Sequence, residues 1–219
     1  MNINKHLIPL FSVLFFLFAV SVSSGCFRKN ESDVKSVVRN ELDQLKNLDS
    51  ETTQKYIPYT ELFPDATENT DLTDEINETF SLFFRKFNYK ISDVIVGTAN
   101  HSATVSVKLT TIDSKVLARD FKAELLRTQI TESAQAQTGS IKDSSRSLEA
   151  HYLILNHLLN TNDYDTAKTD CNIQLVNTGN DKKEKWKIQR TNSLEDDLVG
   201  GLIADLADPD ILSPEDTLT

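Results

Sequence analysis

Residues able to support metal or acid–base chemistry are few in this sequence, and their spacing is unfavourable. The 219-residue chain has four histidines and two cysteines. His151 and His157 would lie about 240° apart around a helix, so their side chains do not share a helical face. The spacings His-x-x-x-His and Cys-x-x-Cys do not occur. The sequence therefore predicts no metal site and no cofactor.

Motifs for nucleophilic catalysis and phosphate binding are also missing. No Gly-x-Ser-x-Gly turn occurs, and Gly200-Gly201 is not followed by the Lys and Ser or Thr of a phosphate-binding loop. The acidic group Asp205, Asp208 and Asp210 lacks the glycine and the closing glutamate of a calcium-binding EF-hand. We therefore predict a solvated acidic tail here, no catalytic residues and no enzymatic activity.

The stretch from Lys5 to Cys26 predicts an export signal. One lysine precedes an apolar run from Leu7 to Val22, which small residues and then Cys26 follow. This is the order of a cleaved secretory signal, and the run is shorter than the ~20 residues of a permanent transmembrane helix. The small residues followed by cysteine resemble the lipobox of bacterial lipoproteins, although Ser23 stands where the family usually has leucine.

The lipobox resemblance implies a signal peptide over residues 1–25, acyl chains such as palmitate on Cys26, and a short tether over residues 26–30. The expected location is the extracytoplasmic face of the cell membrane. Two alternatives remain: an uncleaved N-terminal anchor, and a secreted protein in which Cys26 has no special role. If Cys26 is lipidated, Cys171 has no disulfide partner and is expected to be a buried small hydrophobe.

The charge balance narrows the class of partner. The formal net charge is −10 and the pI is about 4.9. This argues against nucleic acid, which is bound through Lys and Arg. It also argues against adhesion to anionic lipid, which needs basic clusters, and we recognise no basic face. Membrane attachment is therefore predicted to depend on the acyl chains of Cys26, since two chains give stable anchoring.

Helical periodicity dominates the first part of the chain. Ser32 is placed to cap a helix, and Asp49-Ser50 to cap a second helix that Pro58 ends. A third helix is predicted from Asp71 to Arg85. Apolar residues recur every three or four positions in the first and third helices: Val34, Val37, Val38, Leu42, Leu45 and Leu48 in the first, and Ile76, Phe80, Phe83, Phe84 and Phe87 in the third.

Strands and a helical hairpin follow. Alternation of apolar and polar residues predicts strands at residues 88–97, 101–111, 165–178 and 184–190. Two helices, 114–133 and 145–160, are expected to fold back on each other between the second and third strands. Leu194, Leu198, Leu202 and Leu206 then predict one C-terminal helix running through Gly200-Gly201, with a frayed end after Pro209. The result is an α+β fold with helices packed on a curved antiparallel sheet.

The order of elements resembles the nuclear transport factor 2-like (cystatin-like) cone, and in particular lipoproteins of low-GC Gram-positive bacteria built on it. The resemblance rests on the lipobox, LDQLKNLD in the first helix, the passage FFRKFNYKISDV, and the ending KWKIQRTNSLEDDLVGGL. It implies a single domain over residues 31–206, followed by a flexible acidic tail over residues 207–219. It implies a fold and a location, but no activity.

Two functions from different classes remain. The first is a non-catalytic binding or interaction domain, presented outside the membrane to an unidentified protein or ligand. The second is a small cone-fold enzyme or a carrier of apolar molecules. Its acid–base candidates are His101, Tyr89 and Asp93. Its pocket would be lined by four aromatic residues that otherwise fill the core: Phe80, Phe83, Phe84 and Trp186.

Overall fold

A computed structural model describes residues 30–56, 62–63, 66, 72–97, 101–136, 147–179 and 184–212. The predicted signal peptide, Cys26 and most of the tether lie outside these residues. The model confirms the α+β class, with helices packed on a curved antiparallel sheet. The helices are α1 (30–46), α2 (Ser50–Tyr56), α3 (Thr73–Phe84), α4 (Ser114–Ala136), α5 (Leu148–Thr161), α6 (Asn192–Leu198) and α7 (Leu202–Ala207).

The sheet has four strands in the order β1-β2-β3-β4, each antiparallel to the next. Its strands are β1 (Asn88–Val96), β2 (Ser102–Ile112), β3 (Thr166–Asn177) and β4 (Trp186–Ile188). Alternation along β2 and β3 buries one set of side chains against the helices and leaves the other set on a polar outer face. The last strand is shorter than predicted, because only Trp186–Ile188 pair with β3.

A β-bulge interrupts the alternation of side chains along β1. The register with β2 shifts between Ile91 and Asp93. Ile91 therefore lies opposite Val107 and Val94 opposite Val105, so both apolar side chains face the core. Strict alternation would have turned Val94 towards the outer face, where Asp93 lies instead.

Side chains cap the starts of α2 and α5, whereas the prediction that Ser32 caps α1 was wrong, because residue 30 is already helical. Asp49 Oδ1 accepts from Thr52 N at 2.8 Å at the start of α2, and Ser147 Oγ accepts from Ala150 N at 3.1 Å at the start of α5. The predicted stripe of α1 is buried through Leu45, but Leu48 is 42% exposed with φ 62°. Leu48 was assigned wrongly, because it lies past the helix end in a left-handed turn.

The C-terminal region is two short helices, so the prediction of one continuous helix was wrong. Gly200 (φ 67°) and Gly201 (φ 93°) separate α6 from α7, and both adopt left-handed backbone that glycine adopts without steric cost. Gly200 lies against Thr111 so closely that a Cβ atom would meet Thr111 Oγ1. Packing continues beyond the predicted boundary at residue 206, since Ile211 is only 5% exposed.

The core lies between the inner face of the sheet and the helices. The α4–α5 hairpin folds back on itself as predicted, α3 packs on α5, and α7 packs on α4. α6 lies against β2 and β3. Side-chain hydrogen bonds between β1 and α1 fix α1 beside the first strand. This arrangement leaves α1 and the edge of β1 next to each other on the surface.

Candidate functional site

The predicted aromatic pocket residues lie in the core. Phe84 makes ring contacts with Phe80 at 6.4 Å and with Phe83 at 5.5 Å. Trp186 is buried on β4, and no ring contact joins it to these phenylalanines among the described residues. Phe80 borders a cavity of about 80 Å³, which is small beside the 300–1,000 Å³ usual for ligand pockets. The described geometry supplies no observation that favours a carrier of apolar molecules.

The three acid–base candidates do not converge. Tyr89 lies opposite Leu109 on the inner face, and Asp93 lies opposite Ser106 on the outer face. His101 precedes the other end of β2, about 25 Å from the Tyr89 position at the usual rise per strand residue. General acid–base catalysis needs groups within hydrogen-bonding reach of one substrate. These three residues do not form such a group.

Cys171 has a buried thiol that forms a hydrogen bond with the carboxylate of Asp197. It lies on the inner side of β3 and is free. Burial, together with the charge of Asp197 and a hydrogen bond to that carboxylate, raises the pKa of Cys171 to about 12. Because the thiolate is the reactive form, the thiol is inert at neutral pH. Burial also raises the pKa of Asp197.

Acidic residues near the C-terminus take part in hydrogen bonds within the protein. Ser114 Oγ lies 2.7 Å from Asp205 Oδ2, and Asp208 Oδ1 accepts from Asp210 N at 2.9 Å.

Within the described part of the chain, no group of three His, Cys, Asp or Glu side chains is arranged to hold a metal ion. The same residues include no helix that is long and apolar enough to cross a membrane.

The most distinctive site is a basic groove between α1 and the edge of β1. Its volume is about 300 Å³, and we call it the α1/β1 groove. It is lined by residues of the helix and of the strand: Lys35, Arg39, Asp43, Lys46, Asn88, Tyr89 and Ile91. Lys35, Arg39 and Lys46 fall within about 40° of one another around the helix. The groove thus concentrates positive charge on a protein whose net charge is −10.

Hydrogen bonds fix the two walls of the groove. Tyr89 Oη donates to Asp43 Oδ1 at 2.6 Å, and Lys46 Nζ donates to Asn88 Oδ1 at 3.0 Å. Burial, the hydrogen bond to Asp43 and the charge of Asp43 raise the pKa of Tyr89 to about 12. Tyr89 is therefore a neutral donor at physiological pH, and its task is to hold α1 against β1.

The groove cations have no carboxylate partner within the part of the chain that the structure describes. Among the described residues, Lys35, Arg39 and Lys46 form no ion pair. Lys55, by contrast, pairs with Glu41 at 2.8 Å on another side of α1. Three unpaired cations in one concave site favour binding of an anionic group.

The expectation that the protein has no basic face was wrong, because the α1/β1 groove is one. The available signal was the spacing of Lys35, Arg39 and Lys46 at i, i+4 and i+11, which places them beside the buried stripe of α1. The same helix also contains four acidic residues (Glu31, Asp33, Glu41 and Asp43), so its net charge does not reveal the three aligned cations. The proximity of β1 could not be read from the helix alone.

Comparison with protein-family models, with curated proteins and with solved structures finds no match for this chain.

Proposed function

We propose that this protein is a lipid-anchored lipoprotein whose domain binds an anionic ligand or partner outside the membrane, without catalysing a reaction. The observation that carries the proposal is the α1/β1 groove, in which Lys35, Arg39 and Lys46 line one concave site. The nuclear transport factor 2-like cone is the fold we propose for the domain, on the resemblance described above.

The position of α1 supports a role next to a membrane anchor. Residue 30 is already helical and is four residues from Cys26, a separation of at most about 14 Å. A domain on so short a tether has its α1 end closest to the anchor. The groove on α1 is therefore expected to meet partners that lie at or near the membrane surface.

Two further observations support binding rather than catalysis. The acid–base candidates His101, Tyr89 and Asp93 lie on different faces or ends of the sheet. The thiol of Cys171 is buried and carries a raised pKa. The groove contains three cations, an amide and a phenol, which suit recognition of an anion, and its carboxylate, that of Asp43, accepts the hydrogen bond of the phenol.

Crosslinking in cells tests the binding role of the groove. A photoreactive amino acid replaces Ile91 inside the groove, and a matched protein carries it at Gln174 on the outer face of β3, which is exposed. We expect a discrete adduct from position 91 that disappears in the Lys35→Gln/Arg39→Gln/Lys46→Gln triple variant. Equal labelling from both positions, or an adduct that survives the triple variant, would contradict binding at the groove.

Metabolic labelling tests the anchor separately. A palmitate analogue should label the wild-type protein and not the Cys26→Ser variant, which should also leave the membrane fraction. Label on the variant, or unchanged membrane association without label in the wild type, would rule out the lipid anchor. The crosslinking result does not depend on this outcome.

A further inference from the structure

We propose that the α1/β1 groove accepts an extended acidic segment of a partner protein, which adds to the sheet as a fifth strand along β1. This inference deepens the proposed function, because it names the class of ligand for the same groove. It rests on the edge position of β1, on the direction of its backbone groups and on the charge of the adjacent helix.

β1 is an edge strand within the described sheet. The strand order begins with β1, whose neighbour is β2, and no described residue pairs with its other side. An exposed edge is a template for another strand, because its N–H and C=O groups still require partners. Proteins that bind extended peptides commonly use such an edge.

The backbone pattern shows which residues offer these groups. Gly97 N donates to Ser102 O at 2.8 Å, and Asn177 N donates to His101 O at 2.9 Å. The even-numbered residues of β2 thus direct their backbone groups to β1 and the odd-numbered ones to β3. The β1 residues opposite the odd-numbered positions direct their own groups to the open edge: Tyr89, Ile91, Val94 and Val96.

The open edge and the cations belong to one site. Tyr89 and Ile91 both line the α1/β1 groove, so their outward backbone groups lie beside the basic face of α1. Lys35 and Lys46 are about 16 Å apart along the helix axis. Alternate residues of an added strand, spaced about 6.8 Å, lie on one side. A segment with acidic residues at two or three alternate positions therefore matches the length and charge of this wall.

A lipid surface is a weaker fit for the same cations. Each Lys or Arg near an anionic membrane contributes about 1 kcal/mol, so three give a weak attraction that the net charge of −10 opposes. A headgroup would leave the outward backbone groups of Tyr89 and Ile91 without partners, whereas a peptide strand satisfies them.

The test uses the full-length protein purified in detergent and a fluorescent octapeptide of alternating glutamate and valine. A second peptide has the same sequence but carries N-methyl groups at alternate amides, so that its charge is kept and strand pairing is lost. We expect the first peptide to bind at least about tenfold more tightly than the second. Hydrogen exchange should slow at the amides of Tyr89 and Ile91 when the first peptide is bound.

Two matched variants separate the groove from general electrostatics. Lys35→Gln/Arg39→Gln/Lys46→Gln removes the groove cations, and Lys108→Gln/Lys168→Gln/Lys187→Gln removes the same charge from exposed positions of β2, β3 and β4. Circular dichroism and thermal unfolding check that both remain folded. We expect the first variant to lose at least about tenfold in peptide affinity and the second to lose less than about threefold.

Three results would overturn the inference. Equal binding of the two peptides that still depends on the groove cations means anion capture without strand addition, and the proposed function stands. Binding to phosphatidylglycerol vesicles rather than to either peptide, lost in the groove variant, assigns the cations to lipid headgroups. Absence of binding by either peptide at 1 mM and by either vesicle type (phosphatidylglycerol or phosphatidylcholine) removes the inference and the anion-binding proposal together.

Discussion

The two edges of the sheet differ in how their cations are used. At the β1 edge, Lys35, Arg39 and Lys46 face an open groove and form no ion pair with a described residue. At the β4 edge, Arg190 lies 2.5 Å from Glu195, a carboxylate that is only 4% exposed. One edge exposes its positive charge in a groove, whereas the other places a cation against a buried acid.

Packing also differs between the two edges, since it is tight beside β4 and leaves a groove beside β1. After β4, the chain turns into α6 and α7, and Gly200 fits tightly against Thr111. Beside β1, the helix and strand are joined by side-chain hydrogen bonds from Tyr89 and Lys46, with a cavity between them. Substitutions should therefore lower stability at the β4 edge and lower binding at the β1 edge.

The largest loss of stability is expected from Gly200→Ala. A Cβ atom would meet Thr111 Oγ1, and alanine disfavours the left-handed backbone at φ 67°, so the free energy of unfolding should fall by roughly 2–4 kcal/mol. Denaturant unfolding measures this. Gly201→Ala is the matched control. Its added Cβ atom would lie 3.6 Å from the nearest non-neighbouring atom, so the free energy of unfolding should fall by only about 1–2 kcal/mol.

A double variant decides whether the contact with Thr111 causes the loss. Thr111→Ala removes the Oγ1 atom, so Gly200→Ala should cost less in that background. If Gly200→Ala costs the same with and without Thr111, or no more than Gly201→Ala, the account of tight packing at this edge is wrong.

The next effect compares two arginines directly. Arg190→Ala leaves the carboxylate of Glu195 buried without its cation, and should lower the free energy of unfolding by about 1–3 kcal/mol. Arg39→Ala removes a cation with no described ion-pair partner, and should change it by less than about 0.5 kcal/mol. Equal losses for the two variants would erase the contrast between the edges.

A smaller effect is expected at the groove wall. Tyr89→Phe removes the hydroxyl that donates to Asp43 at 2.6 Å, which should lower stability by about 1 kcal/mol. Because the folded pKa of Tyr89 is raised to about 12, this advantage of the wild type is complete below pH 10 and declines as pH rises towards 12. Unfolding in urea at pH 7, 10 and 11 measures it. A difference that grows with pH contradicts this assignment.

The smallest expected effect is at Asp197. Burial raises the pKa of this carboxyl, so its ionisation opposes folding, and the wild type loses stability as pH rises through the folded pKa. Asp197→Asn lacks this penalty while its amide oxygen can still accept from the Cys171 thiol. The Tm of the variant relative to the wild type should rise between pH 4 and 7 by no more than about 3 °C. Thermal scans that show a constant or falling difference would refute the raised pKa.

Much of the fold could be predicted because local patterns determine it. The alternation in β2 and β3, the cap Asp49 and the helical periodicity of α3 all reflect forces within short segments. Three features depend on neighbours distant in sequence. The bulge in β1 depends on pairing with β2, the break at Gly200-Gly201 on close approach to Thr111, and the α1/β1 groove on where α1 docks.

The candidate site was the least predictable part. Each wall is unremarkable in sequence, since α1 contains four acids and three bases and β1 is an ordinary mixed strand. The positive charge becomes concentrated only when the basic stripe of α1 and the edge of β1 are brought together. A sequence motif lies within a single segment, whereas this site is built from two.

The charge beside β1 also bears on self-recognition between copies of this protein. The unpaired edge of a strand can pair with the same edge of a second molecule, and such pairing commonly starts aggregation. Two β1 edges paired in this way would bring both sets of Lys35, Arg39 and Lys46 together, and the bulge between Ile91 and Asp93 would interrupt their register. The cations thus discourage homotypic pairing while leaving the edge open to a strand of opposite charge.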